Sequence, residues 1–128
     1  MIGFIQALFG IGGKGIGPRE AVKRLDAGAL LVDVREPHEF YASHAPQAHS
    51  LPLSRLRDEG IAAMQALSPP GETREILLIC QSGMRSRMAR HALSRHPQFK
   101  SVNVDGGMTA WMRSGLPVTR GNAAHQGR

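Results

Sequence analysis

The segment 76–86, with the sequence ILLICQSGMRS, constrains the fold of this chain more than any other. Its four apolar residues at 76–79 predict a buried strand, and a helical pattern resumes at Met84. Cys80 therefore stands where a strand ends and a short loop leads into a helix. A strand, a loop and a helix in this order form the repeating unit of α/β proteins, so we expect an α/β fold with a mainly parallel sheet.

The loop at 81–86 is suited to hold an anion. Its backbone N–H groups have no strand partner and can converge on the cysteine, while the following helix directs its positive end to the same point. A free thiol has a pKa near 8.5, and such surroundings lower it to about 3.5–7.5. We therefore predict that Cys80 is a reactive thiolate and that the substrate is bound by Gln81, Ser82, Gly83, Met84, Arg85 and Ser86.

Alternating elements along the chain support this fold class. We expect a sheet of about five strands with helices on both faces, with strands at about 30–34, 48–51, 75–80 and 101–104. One helix is expected to run from an N-cap at Ser54 to about Leu67. The helix after the cysteine loop is expected to face the core with an apolar stripe of Met84, Met88, Ala89, Ala92 and Leu93.

Three side chains with charged or reactive groups follow predicted strands. Asp33 and Arg35 end one strand and Cys80 ends another. Ligands of open α/β sheets bind at the carboxyl ends of the strands, so we expect these residues to share one site. Asp33 and Arg35 carry opposite charges and are expected to form an ion pair. Trp111, in the last predicted helix, is assigned to packing.

Composition excludes several classes of function. A chain of 128 residues fits one domain, and its single cysteine excludes an internal disulfide or a multi-cysteine zinc site. The net charge is +6, but the arginines are spread along helices and aromatic residues make up only 5% of the chain, so we expect no nucleic-acid site. A basic rim that attracts small anions is the alternative interpretation. We expect neither a cofactor nor a metal.

Six histidines raise the question of a metal site or of a partner for the cysteine. They stand at 38, 44, 49, 91, 96 and 125, and no pair has the i, i+4 spacing of a helical zinc site. We expect them at the surface. Whether one of them assists Cys80 stays open, because a nest of N–H groups can activate a thiolate without a base.

Both ends of the chain are predicted to lie outside the domain. Residues 1–15 are an apolar and glycine-rich extension, residues 16–120 are the domain, and residues 121–128 are a flexible tail. The G-x-G-x-x-G pattern at 10–15 lacks a preceding strand and is interpreted as a linker. Residues 1–11 lack the charged start of an export signal, so we expect a cytoplasmic protein; membrane or partner contact by this segment is the weaker alternative.

The loop at 80–86 resembles the active-site loop of the rhodanese-like sulfurtransferases. Three more segments agree in family order: 31–36 (LVDVRE) with 39–40, then 44–48 (HAPQA) leading to 51–53, and 104–111 (VDGGMTAW). The resemblance covers about residues 16–120 and implies a single rhodanese-like domain, expected as a monomer, whose pocket Asp33 and Arg35 help to frame. Two features depart from the family: residues 43–48 lack its two turn glycines, and the neutral Gln81 replaces a basic residue found in some members.

The resemblance also implies a reaction. Cys80 would take a sulfane sulfur from thiosulfate or a similar donor as a persulfide, with Arg85 on the sulfonate, and pass it to cyanide or to a thiol. Because the chain has no second cysteine, the acceptor must be a separate small thiol or thiol protein. Two alternatives remain: a non-catalytic binding module, and a cysteine-dependent phosphatase or arsenate reductase, which the Cys-x4-Arg spacing disfavours because those loops have Cys-x5-Arg.

Overall fold

A parallel sheet of four strands forms the centre of the molecule. The computed structural model describes residues 15–121. Strands β1 (Leu30–Asp33), β2 (His49–Ser50), β3 (Glu75–Ile79) and β4 (Lys100–Asn103) lie in the order β2-β1-β3-β4, with all pairs parallel. The predicted α/β class is confirmed, with one strand fewer than expected. Ile16 makes only an isolated bridge to Val104, because Pro18 begins a helix two residues later.

Within residues 15–121, six helices cover the two faces of the sheet. They are α1 (Pro18–Asp26), α2 (Pro37–Ala42), α3 (Leu53–Glu59), α4 (Ile61–Leu67), α5 (Met84–Leu93) and α6 (Gly107–Arg113). Alternate residues of β3 enter opposite core layers: Ile76 and Leu78 pack with α3, α4 and α5, whereas Leu77 and Ile79 pack with α1, α2 and α6. Trp111 is fully buried in the second layer, which confirms its assignment to packing.

The long helix predicted at 54–67 is two helices. Gly60 separates them with φ +65° and ψ −151°, a conformation that residues with a side chain rarely adopt. The first of the two, α3, begins one residue before Ser54 with Pro52 as its N-cap, so the predicted cap was wrong. Ser54 lies inside α3 instead, and its hydroxyl donates to the Glu36 carboxylate at 3.2 Å.

Replacing Gly60 with alanine is expected to lower the free energy of unfolding by about 1–3 kcal/mol. A new Cβ would meet nothing within 4 Å, so the cost comes from the backbone conformation alone. Urea denaturation measures it. The matched control is Gly17→Ala, where φ is −77° and the space is equally open, and it is expected to cost less than about 1 kcal/mol. Equal losses in the two variants would contradict this explanation of the break.

The predicted core stripe of α5 is rotated around the helix axis. Met84 is 65% exposed and Met88 is 44% exposed, contrary to the prediction, while Ala89 and Leu93 are buried as expected. Ser86 is also fully buried, and its spacing to Ala89 and Leu93 defines the face that contacts the sheet. The buried stripe therefore includes a serine that the hydrophobic pattern excluded, and it leaves two methionines at the surface.

No helix within residues 15–121 is long and apolar enough to span a membrane. The predicted N-terminal extension, apart from Gly15, and the predicted tail from residue 122 onward lie outside the described residues.

Candidate active site

Cys80 is the first residue after β3 and is 1% exposed. Its Sγ accepts a hydrogen bond from the backbone N–H of Gly83 at 3.0 Å, and the Ser86 hydroxyl lies 3.4 Å away. Gly83 has φ +110° and is the N-cap of α5, so the loop turns back sharply enough to bring its N–H groups under the sulfur. The geometry is that of the predicted anion-binding loop.

The start of α6 holds the cysteine loop from the other side. The N–H groups of Met108 and Thr109 donate to the carbonyls of Cys80 and Gln81 at 2.8 and 3.1 Å. Gly107, with φ +55°, makes this approach possible, because a Cβ there would collide with the Cys80 carbonyl. Two helix starts therefore converge on the loop that carries the sulfur.

The pKa of the Cys80 thiol lies below its ordinary value. Burial is the largest single influence and raises this pKa, since it disfavours the thiolate. Hydrogen bonds from the Ser86 hydroxyl and from the backbone N–H groups of Ser86, Gly83 and Ser82 act in the opposite direction and together outweigh it. The largest influences that stabilise the thiolate are thus neutral donors, and the charge of Arg85 also interacts with Cys80.

Replacing Ser86 with alanine is expected to raise the pKa of Cys80, because it removes the largest of the influences that lower it. The rate of alkylation by iodoacetamide follows the thiolate fraction, so its pH profile should move to higher pH in the variant. Cys80 is the only thiol in the chain, which makes the reading unambiguous. An unchanged profile would show that the hydroxyl does not donate to the sulfur.

Asn103 is a residue of this network that the sequence did not reveal. Its side chain is 3% exposed, its Nδ2 donates to Asp105 Oδ1 at 2.7 Å, and its Oδ1 accepts a short hydrogen bond from the Ser86 hydroxyl. The single hydroxyl hydrogen of Ser86 is therefore shared among Asn103, Cys80 and the Gly83 carbonyl, which lies 3.2 Å away.

Asn103→Ala removes one of the two acceptors that compete with the sulfur and is expected to shift the alkylation profile to lower pH, opposite in sign to Ser86→Ala.

Arg85 is bound within the protein. Its two terminal nitrogens donate to the two carboxylate oxygens of Glu39 at 2.6 and 2.9 Å. This pairing is the main reason why the pKa of Glu39 falls to about 2. Glu39 was not among the predicted site residues. Its sequence signals are its place in the segment 39–40 of the family resemblance and the spacing Glu36-x-x-Glu39, which forms a capping box at the start of α2.

Asp33 and Arg35 form the expected ion pair beneath the loop. The guanidinium NH2 group of Arg35 donates to Asp33 Oδ2 at 2.8 Å, and the two side chains are 3% and 0% exposed. Arg35 also donates to the side-chain carbonyl of Gln81 at 3.2 Å, and the Gln81 amide donates to Thr109 at 3.2 Å. The pair therefore connects to the cysteine loop through Gln81, whose polar atoms both have protein partners.

The other predicted residues occupy different positions. Ser82 and Met84 are both exposed, and Ser82 acts on the sulfur through its backbone N–H. His44 is fully buried, contrary to the expected surface position, because its ring stacks on Phe40 with centroids 3.6 Å apart and its Nδ1 is 2.7 Å from the Phe40 carbonyl. Within residues 15–121, no cluster of three or more His, Cys, Asp or Glu residues is arranged to hold a metal ion.

A cysteine loop at the carboxyl edge of a parallel sheet covered on both faces defines a class of α/β protein built to hold an anion beside a thiol. The chain belongs to the family of rhodanese-like domains, whose family model matches residues 17–114. The resemblance noted in the sequence is thereby confirmed.

Three similar proteins illustrate the range of the family. An uncharacterized protein of Synechocystis is 37% identical over 79% of this chain and 52% of its own length. A sulfurtransferase of Allochromatium vinosum is 33% identical over 70% of this chain and 77% of its own length. A thiosulfate sulfurtransferase from Pseudomonas aeruginosa has a structure that matches with a TM-score of 0.71, at 25% identity over 88% of this chain and 20% of its own. The chain spans only about half of the first relative and a fifth of the third.

Proposed function

We propose that this protein is a sulfurtransferase that carries a sulfane sulfur as a persulfide on Cys80. The observation that supports this most is the set of hydrogen-bond donors around Cys80 Sγ, which lowers the pKa of the thiol. Donors that stabilise a thiolate also stabilise a terminal persulfide anion. The relatives named sulfurtransferase support the same activity.

The first half-reaction loads the cysteine. The Cys80 thiolate attacks the outer sulfur of thiosulfate or of a similar donor, and a bond forms between Sγ and that sulfur. The bond from the outer sulfur to the sulfonate group breaks, and its electron pair leaves with sulfite. The loop N–H groups then donate hydrogen bonds to the negatively charged persulfide. These bonds are stronger than those to a neutral thiol.

The second half-reaction returns the thiolate. Cyanide or an external thiolate attacks the terminal sulfur of the persulfide, the bond to Sγ breaks, and its electron pair returns to Cys80. No oxidant or reductant is consumed in either half-reaction. Because Cys80 is the only cysteine of the chain, a separate molecule must accept the sulfur.

Arg85 is the proposed contact for the sulfonate of the donor. Its side chain lies at the mouth of the loop, and both terminal nitrogens are engaged with Glu39. The sulfonate must then approach the free edge of the guanidinium or displace the carboxylate. Glu39 thus holds Arg85 in place, but its carboxylate also competes with the sulfonate for the guanidinium. This competition favours weak and reversible binding of the sulfur donor.

Two further features belong to the proposal. The reaction cycle regenerates a free thiol, which is kept reduced in the cytoplasm, so we place the protein there. We also propose that the protein acts as a monomer, because one chain supplies Cys80, Arg85 and the Asp33–Arg35 pair.

The test is sulfur transfer from thiosulfate to cyanide, with the intact mass of the thiosulfate-treated protein measured in parallel. Thiocyanate formation and an adduct of one sulfur atom on the protein are the expected results. A phosphate-ester assay runs beside it, because phosphate release without thiocyanate would indicate the phosphatase alternative.

The binding-module alternative has one observation in its favour, which is the 1% exposure of Cys80. A sulfur donor reaches so buried an Sγ atom only if the opening of the loop is wide enough for it. If the protein forms no sulfur adduct, no thiocyanate and no phosphate, the binding module remains as the function of this domain.

A further inference from the structure

A groove with an apolar floor and a basic rim runs between α3 and α5. It encloses about 550 Å³, with Leu53, Met84, Met88 and Ala92 among the residues that line it. Its rim carries Arg57, Arg87 and Arg95, together with two histidines, His91 and His96. Within residues 15–121, no acidic side chain lines it. This part of the chain therefore gives the groove exposed apolar surface and positive charge.

The apolar part of the groove is exposed to an unusual degree. Met84 is 65% exposed and Met88 is 44% exposed, and both side chains point away from the core that α5 builds with the sheet. An exposed apolar patch with a polar rim is typical of a protein interaction site. Methionine suits such a surface because its flexible thioether side chain adapts to different contacts.

The charge of the rim is not compensated within the described residues. Arg57, Arg87 and Arg95 have no ion pair anywhere in residues 15–121, whereas nearby arginines do: Arg55 pairs with Glu59, and Arg85 with Glu39. Unpaired cations beside an apolar floor are repelled by one another and attract an anionic partner. The rim can therefore attract a partner that brings negative charge from outside this part of the chain.

The two kinds of residue form parallel stripes that follow α5. Met84, Met88 and Ala92 recur every four residues, and Arg87 and His91 run beside them at the same spacing, continued by Arg95 just beyond the end of the helix. The matching surface is an amphipathic segment with an apolar stripe and an acidic stripe at the same spacing. A small anion would satisfy the arginines but would leave the methionines uncovered.

We propose that this groove docks an acidic amphipathic segment of the polypeptide that accepts sulfur from Cys80; the acceptor role rests on the sulfurtransferase function proposed above. The apolar stripe begins at Met84, and the preceding residue, Gly83, donates its N–H to Cys80 Sγ. A segment lying along α5 would thus bring one of its ends to the mouth of the cysteine loop. There the acceptor thiolate attacks the terminal sulfur of the persulfide, and the electron pair of the broken bond returns to Cys80.

Other occupants fit the groove less well. Residues 1–14 of this chain are apolar but include no aspartate or glutamate, so they cannot neutralise the rim. A second copy of the chain would bring its own charge of +6 to a basic surface. A lipid bilayer presents a flat surface, whereas the methionines line a concave groove.

Binding is tested with the full chain and a fluorescent 15-residue helical peptide that has a leucine stripe flanked by glutamates at i, i+4 spacing. A scrambled peptide and one with lysine for glutamate are the controls. Fluorescence anisotropy is expected to give at least about tenfold tighter binding for the acidic amphipathic peptide, and binding should weaken as salt rises.

Arg87→Glu with Arg95→Glu is expected to abolish this preference. The matched control, Arg113→Glu with Arg120→Glu, makes the same charge change outside the groove and should retain it.

Sulfur transfer tests the acceptor role separately. The same peptide with one terminal cysteine is offered to thiosulfate-treated protein, and persulfide on the peptide is measured by mass spectrometry. The Arg87→Glu, Arg95→Glu variant should lose at least about tenfold in kcat/KM for this peptide and keep its rate with cyanide. Peptide binding without any Cys80 persulfide would overturn both the acceptor role and the proposed function, while leaving the groove as a docking surface.

Three results would overturn the docking proposal itself. One is equal affinity for the acidic, scrambled and lysine peptides while the persulfide still forms. Another is that the protein shows no preference among the peptides but binds phosphatidylglycerol vesicles, and that the Arg87→Glu, Arg95→Glu change abolishes this vesicle binding. The third is a dimer in analytical ultracentrifugation that the same change dissociates.

Discussion

Replacing Cys80 with serine is expected to reduce thiosulfate–cyanide sulfur transfer by about 10³-fold or more, on the scale known for removal of an enzyme nucleophile. A serine hydroxyl is not ionised near neutral pH, and the loop provides N–H donors but no base beside the sulfur. The variant should also gain no mass on treatment with thiosulfate. Steady-state thiocyanate formation and intact mass measure the two effects.

The fold should survive this substitution, since serine is nearly isosteric and its oxygen can still accept from Gly83. Thermal unfolding verifies this point. Arg113→Ser serves as a surface control that should transfer sulfur at the wild-type rate. Arg113 is exposed at the last position of α6, whereas this helix contacts the cysteine loop through its first residues. Substantial transfer by Cys80→Ser would mean that the reaction does not pass through this cysteine.

Replacing Arg35 with methionine is expected to lower the free energy of unfolding by about 3–5 kcal/mol. The change leaves Asp33, which is 0% exposed, as a buried carboxylate without its guanidinium partner. The carbonyl of Ser43 and the side-chain carbonyl of Gln81 also lose a donor. Because small domains have only about 5–15 kcal/mol in total, urea denaturation should detect a large loss.

Two comparisons separate the buried charge from simple loss of an arginine. Asp33→Asn added to Arg35→Met removes the unpaired charge but keeps an acceptor for the Arg35 backbone N–H, so much of the lost stability should return. Arg55→Met breaks an exposed pair with Glu59 and should cost less than about 1 kcal/mol. A loss in Arg35→Met as small as that in Arg55→Met would contradict the argument.

Local patterns were enough to place the centre of the site. Four apolar residues, a lone cysteine and a resumed helical pattern predicted the strand, the loop and the helix around Cys80, because each follows from the chemistry of adjacent residues. The ion pair of Asp33 and Arg35 could also be predicted, since these opposite charges stand two residues apart at the end of one strand. Their place near Cys80 followed from the rule that the carboxyl ends of parallel strands meet at one edge of the sheet. These features depend on residues close in sequence or on a general rule of sheet topology.

The features that were missed depend on contacts between distant parts of the chain. Glu39 and Arg85 are 46 residues apart, and Ser86 and Asn103 are 17 apart, so no local pattern connects them. Even the rotation of α5 escaped prediction, since Ser86 is drawn into the core by its hydrogen bonds while Met84 is left outside.

The sequence by itself determined the fold class, the position of the cysteine at the end of a strand and the family resemblance, because periodicity and motif spacing are properties of the chain alone. Only the tertiary structure decided that Arg85 is held by Glu39, that Asn103 competes for the hydroxyl beside the sulfur, and that Met84 and Met88 line a basic groove. The physical reason is that hydrogen bonds, ion pairs and burial depend on which residues meet in space, and that is settled only when the helices pack on the sheet.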